Sequence, residues 1–95
     1  MKIGQSIKQL RKSKTKLNQR QFAQNIGVSQ TYLSQIESDL RHPSTEMLQK
    51  IADYLEIPLP ILFWFGVTES DVKPEKVEYF KLLKPSIDKM IESIF

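Results

Sequence analysis

The sequence contains no cysteine, and its first 36 residues contain neither aspartate nor glutamate. The first absence excludes a disulfide framework and any thiolate metal site. With His42 the only histidine, no zinc site is expected either. Glycine is scarce, three in 95 residues, and no glycine-rich phosphate loop or nucleophile motif occurs. An enzyme is therefore not expected, and neither is a cofactor or a metal. Long apolar runs are missing as well. The longest, residues 57–67, is interrupted by Pro58, Pro60 and Gly66 and is far too short to span a bilayer. The stretch Met1 to Gln5 lacks the apolar segment of a signal peptide, so a cytoplasmic protein is expected.

What is present fits one domain, or one small domain with an appendage. A hydrophobic fraction of 40% allows a modest core, and a charged fraction of 26% is ordinary. The charge is unevenly placed. Residues 1–36 carry seven basic side chains (Lys2, Lys8, Arg11, Lys12, Lys14, Lys16, Arg20), whereas residues 37–95 carry seven basic and eleven acidic ones. This asymmetry points to a polyanionic partner for the first part of the chain.

The apolar positions recur with a helical period. Ile3, Ile7 and Leu10 mark a first helix, broken at Lys14-Thr15-Lys16. Asn18 suits the N-cap of a second helix, with Leu17 before it as a staple and Phe22, Ala23 and Ile26 as its stripe. Gly27 ends it, since glycine tolerates the left-handed exit conformation. Ser29 caps a third helix with Leu33, Ile36 and Leu40 as the expected buried stripe. Ser44 caps a fourth, with Met47, Leu48, Ile51, Ala52 and Leu55. A short fifth helix is expected near residues 59–65, with Phe63, Trp64 and Phe65 as core or interface. A polar linker follows over 66–73. Pro74 suits the first turn of a last helix, and Pro85 is expected to kink or split that helix. No segment alternates as a strand.

The connection Gly27-Val28 is too short for antiparallel neighbours and suits two helices meeting steeply, the helix-turn-helix arrangement. The third helix then displays amides and hydroxyls but no charge: Gln30, Thr31, Ser34 and Gln35, flanked by Ser29 and Tyr32. Such groups match the donors and acceptors on base edges in the major groove, while lysine and arginine elsewhere hold phosphates. On the pieces "IGQSIKQLRK", "LNQRQFAQNIGVSQTYLSQIE", "HPSTEMLQKIADYL" and "EIPLPILF", the chain resembles the lambda-repressor-like, Cro/cI-type (XRE) helix-turn-helix family.

The resemblance implies an all-α, five-helix DNA-binding domain over residues 1–66, with residues 67–95 forming a linker and C-terminal helical extension. It implies a sequence-specific regulator of transcription, of repressor type, on double-stranded and palindromic DNA. Base-reading positions would be Gln30, Thr31 and Gln35, with Ser29, Ser34 and Tyr32 beside them. Phosphate positions would be Asn18, Gln19, Arg20, Lys16, Arg41 and His42, and Arg11 with Glu37 would form an internal ion pair. Two departures stand out: the loop from Arg11 to Gln19 is one residue longer than in common members, and Ser38-Asp39 stand where many members place a glycine. Asp39 is expected to turn its end of the helix away from phosphate. The last helix carries an apolar stripe at Val77, Phe80, Leu83, Ile87, Ile91 and Ile94, expected to join two copies into a homodimer. The alternative is a protein-interaction module, antitoxin-like, that uses this helix to dock another protein.

Overall fold

The computed structural model describes residues 1–95. It is all-helical: α1 (Ile3–Lys14), α2 (Gln19–Ile26), α3 (Gln30–Glu37), α4 (Thr45–Tyr54), α5 (Leu59–Trp64) and α6 (Val77–Ile94), with 3-10 turns at Glu69–Asp71 and Pro74–Lys76. One core gathers the inward stripes of the first five helices. Ile7, Phe22, Leu33, Ile51 and Leu62 are each fully enclosed within it. Phe22 meets the Tyr54 ring edge-on at 5.3 Å between centroids.

The helix starts follow from short polar side chains. The Asn18 carboxamide oxygen accepts from the Gln21 amide at 2.8 Å, and the Gln21 side chain accepts from the Asn18 amide at 3.0 Å. Ser29 and Ser44 each accept from the amide three residues on. Each such cap satisfies an amide that the helix leaves without an internal partner.

Three helices end alike. Gly27, Asp39 and Glu56 adopt positive φ of 79°, 61° and 58°. The next amide then bonds back five residues: Val28 to Ala23, Leu40 to Gln35 and Ile57 to Ala52. This is the left-handed helix exit that glycine favours, here filled twice by an acidic residue. At Asp39 it overturns one expectation. The reversal takes Leu40 off the helical period, so Leu40 is 81% exposed rather than buried. The carboxylate of Asp39, itself an exposed residue, accepts from the Gly4 amide at 2.9 Å and so caps α1 from outside.

Gly4 itself sits where α1 and α3 touch. A Cβ there would lie 1.9 Å from the Ile36 carbonyl oxygen. Ser6, also buried, donates to the Leu62 carbonyl at 2.6 Å and ties α1 to α5.

The stretch after α5 is more ordered than a plain linker. Asp71 accepts from the Thr68 amide at 2.9 Å and pairs with the Met1 ammonium at 2.8 Å. That ammonium, with the Thr68 amide, holds the Asp71 carboxyl below the usual carboxylate range. Pro74 opens a 3-10 turn that runs straight into α6, rather than the first turn of α6 itself. Pro85 neither splits nor ends α6, which continues to Ile94. The ring lies on the exposed side, where the carbonyl it deprives of an amide partner can be hydrated.

α6 docks on its own domain through a polar clasp. The Trp64 indole N–H donates to Asp88 at 2.8 Å, and Lys84 donates to the other oxygen of that carboxylate at 2.8 Å. The Lys84 ammonium also lies over the Trp64 ring at 5.4 Å, and Phe80 meets the same indole edge-on. Lys14 hydrogen-bonds the main-chain oxygen of Phe95, closing the far end. No helix is long and apolar enough to cross a membrane.

Changing Gly4 to alanine should force α1 and α3 apart. A loss of about 1–3 kcal/mol, the usual penalty for overpacking, is expected in urea titration. An unchanged midpoint would mean that the two helices do not approach as closely as described.

Candidate nucleic-acid interface

The interface is built around one buried carboxylate. Glu37, on the last turn of α3, receives the Arg11 Nε–H at 2.8 Å and a second guanidinium N–H at 3.0 Å. Both side chains are nearly free of solvent, at 7% and 1% exposure. The Gln19 amide, at the start of α2, donates to the same carboxylate at 2.9 Å. A further Arg11 N–H donates to the Leu17 carbonyl at 2.9 Å, in the loop between α1 and α2. The longer loop is therefore accommodated with the pair intact. Four hydrogen bonds join groups from α1, α2, α3 and that loop, fixing α3 relative to the residues that flank it. For Gln19 this leaves the carboxamide oxygen and one N–H free of an internal bond.

α3 turns Leu33, Ile36 and Glu37 inward. Gln30, Thr31 and Ser34 are exposed and Gln35 is half-buried. The side-chain hydrogen bonds made within α3 and its turn come from Ser29 and Ser38; those of Gln30, Thr31, Ser34 and Gln35 stay uncommitted. Ser29 differs, because its hydroxyl oxygen is engaged as the cap of α3. Tyr32 is half-buried at the flank of the helix, and the Arg41 guanidinium lies over its ring at 4.8 Å.

Around this face lie basic side chains without carboxylate partners. Lys16 and Arg20 are exposed beside the α2 N-terminus, and Arg41 and His42 are exposed in the turn after α3. None of them joins an ion pair. Asn18, the cap of α2, uses its carboxamide oxygen internally and keeps its amide N–H groups free. The site residues read from the sequence therefore lie on α3, on the α2 start and on the turn after α3.

Two cations of this face were not singled out from the sequence. Lys8 and Lys12, with Gln5 and Gln9, line an open polar groove of about 470 Å³ that ends at Glu37 and Ser38. Their spacing of four on the outer side of α1 was the available signal. It carries no message about what α1 stands next to until α3 is packed on it.

The last helix sorts its apolar residues onto two faces. Val77, Phe80, Ile87 and Ile91 are half-buried, on the side where Phe80 meets Trp64 and Ile91 packs on the core. Of the stripe read from the sequence, only Leu83 and Ile94 are exposed. Those two join Tyr79, Leu82 and Met90 in a second, exposed face, on which Leu82 and Ile94 are each 72% exposed. Spacings of three and four place these residues on one side of the helix, with Ser86 between them.

Comparison with known proteins agrees with this architecture. A family described as helix-turn-helix matches residues 7–62, and the chain belongs to it. Over 94 residues it is 35% identical to the immunity repressor protein of Bacillus phage phi105, covering 99% of this chain and 62% of that protein. It is 40% identical over 75 residues to control protein C.MunI of Mycoplasma sp, covering 79% of this chain and 93% of that one. It is 39% identical over 61 residues to the HTH-type transcriptional regulator SinR of Bacillus subtilis, covering 63% and 54%. The chain thus spans less than two thirds of the immunity repressor. No solved structure matches.

Replacing Arg11 with methionine should leave Glu37 buried with only Gln19 to meet it. Truncating one member of such a pair costs about 3–5 kcal/mol. Chemical denaturation should show a loss of that order, and combining the change with Glu37→Leu should recover much of it. A single variant as stable as the parent would mean that the pair is solvated.

Proposed function

We propose that this chain represses transcription by binding double-stranded DNA sequence-specifically as a two-fold dimer in the cytoplasm, with α3 in the major groove. The observation that carries the reading is the uncommitted, uncharged polar face of α3, bordered by unpaired cations. Phosphate contacts supply affinity that is blind to sequence, whereas directed donors and acceptors discriminate among base pairs. Gln30 and Gln35 are the amide readers, since a carboxamide can pair with adenine through two hydrogen bonds. Thr31 and Ser34 supply shorter contacts, and Ser29 reads only with the hydroxyl hydrogen that its cap leaves free. Lys16, Asn18, Gln19, Arg20 and His42 hold the backbone, joined by Lys8 and Lys12 along α1. The likeness to a phage immunity repressor over nearly the whole chain supports repression.

Residues 1–66 form the DNA-binding unit in this proposal, and residues 67–95 carry the dimer contact. The contact face is Tyr79, Leu82, Leu83, Met90 and Ile94, not the inward stripe. So many large apolar side chains on one exposed face mark an interaction surface. A two-fold pairing would present two copies of α3 to half-sites one helical turn, about 34 Å, or a multiple apart. The same exposed face also favours a second reading, in which it docks a different protein.

Gln30→Ala and Gln35→Ala should each flatten base preference at a position of the site, costing about 1–3 kcal/mol for a lost bidentate contact. Arg20→Gln should instead weaken all sequences alike and shallow the salt dependence by roughly one phosphate, a log–log slope of about 0.9. Binding titrations on selected and scrambled duplexes measure both, and full discrimination in both glutamine variants would sink the assignment of α3.

Leu82→Glu and Met90→Glu should each give monomer mass in light scattering and weaken binding to a two-half-site duplex more than to a single half-site. A wild-type chain that is already monomeric would favour the protein-partner reading. Dimers that survive both changes would place the contact elsewhere.

A further inference from the structure

Arg41 lies in the turn that follows α3, a place from which a side chain ordinarily reaches outward to the sugar-phosphate backbone. Its geometry here is different. Asp39 adopts a left-handed conformation, and the amides of Leu40 and Arg41 both bond back to the Gln35 carbonyl, at 2.9 and 3.2 Å. The chain is thereby folded back against the last turn of α3. The Arg41 side chain continues in that direction, and its guanidinium rests 4.8 Å from the centre of the Tyr32 ring. Tyr32 is half-buried and packed against the core, so the platform itself is anchored. Arg41 remains exposed and has no carboxylate partner.

A guanidinium over an aromatic face is held through its π surface, and its N–H donors point out from its edge, free to bond. Those donors form a planar fork. The fork matches the O6 and N7 acceptors of guanine in the major groove, whereas a phosphate is satisfied equally by any cation. The rest of the reading face is made of amides and hydroxyls, which lack a charged donor for guanine.

We propose that Arg41 is a base-reading residue that recognises a guanine in each half-site, and that Tyr32 is the positioning residue that holds its guanidinium along α3. The inference rests on the reading of α3 as the DNA-recognition helix and adds a specificity determinant to it.

The test is selection of bound duplexes from a random pool, with the full chain and four variants, followed by titration on the selected site at several salt concentrations. Arg41→Lys keeps the charge and loses the fork. It should remove the preference for G·C at one position of the half-site, roughly a ten- to hundredfold loss of discrimination there, and leave the other positions intact. Arg41→Gln should do the same. Tyr32→Phe keeps the ring and should retain the parental profile, whereas Tyr32→Leu keeps apolar packing and should lose the same single preference. The inference is overturned if Arg41→Lys retains the parental profile, or if Arg41→Gln weakens every sequence alike and shallows the salt slope by about one phosphate. It is overturned as well if Tyr32→Leu leaves the profile unchanged. A parental chain that selects no sequence at all would remove the reading of α3 beneath it, an outcome distinct from these.

Discussion

The Glu37 carboxylate is the point on which the arrangement of the first three helices depends. It is buried, charged and met by Arg11 from α1 and Gln19 from α2. A charge inside a protein is tolerated only where its oxygens are fully met, so its partners have little freedom to move. Hydrophobic burial drives α1, α2 and α3 together but is non-directional; it sets neither the rotation of α3 about its own axis nor its height against α2. The hydrogen bonds at Glu37 do both. They fix which side of α3 faces outward, and therefore which four side chains are offered to a ligand. The Leu17 carbonyl, tied to the same guanidinium, extends that control to the loop between α1 and α2.

Much of this was legible in the sequence because it was local. The caps at Asn18, Ser29 and Ser44 are written in residue type and position, and the stripes at Ile3-Ile7-Leu10 and Leu48-Ile51-Ala52-Leu55 follow the helical period. The helix exits show where local reading stops. Gly27 announces a left-handed residue by its lack of a Cβ. Asp39 and Glu56 do the same job and announce nothing, since an acidic residue is tolerated there only by virtue of what surrounds it. At Asp39 the compensation is the Gly4 amide at the start of α1, 35 residues away. A contact of that separation has no sequence period, and the expected burial of Leu40 fails where it forms.

The last helix is ambiguous in sequence for another reason. Its sequence holds enough apolar residues for two faces, and a single stripe was drawn through a mixture of them. Val77, Phe80, Ile87 and Ile91 keep one period; Tyr79, Leu83, Ser86, Met90 and Ile94 keep the same period, shifted. Periodicity cannot say which of two apolar faces meets the chain's own domain. The polar residues decide it. Asp88 and Lys84 share a face with Phe80 and Ile91, and they satisfy each other and the Trp64 indole. A carboxylate on an apolar face is expensive without such partners, so the face carrying the matched set is the one that docks.

This docking bears on recognition at a distance. In a dimer joined through the outer face of α6, the separation of the two reading helices is set by how each α6 sits on its own domain. That seat is a narrow one, made of Trp64, Phe80, Lys84, Asp88 and Ile91 at α5 and the core, with Lys14 at the far end. The directional bonds at Trp64 and Asp88 resist sliding of α6 in a way that apolar contact alone would not. Spacing between half-sites would then be held by a clasp far from any base, while identity of the bases is held by α3 and its neighbours. On that proposal the two kinds of selectivity would reside in separate parts of the chain, one held by the buried Glu37 carboxylate and the other by the half-buried Asp88 carboxylate.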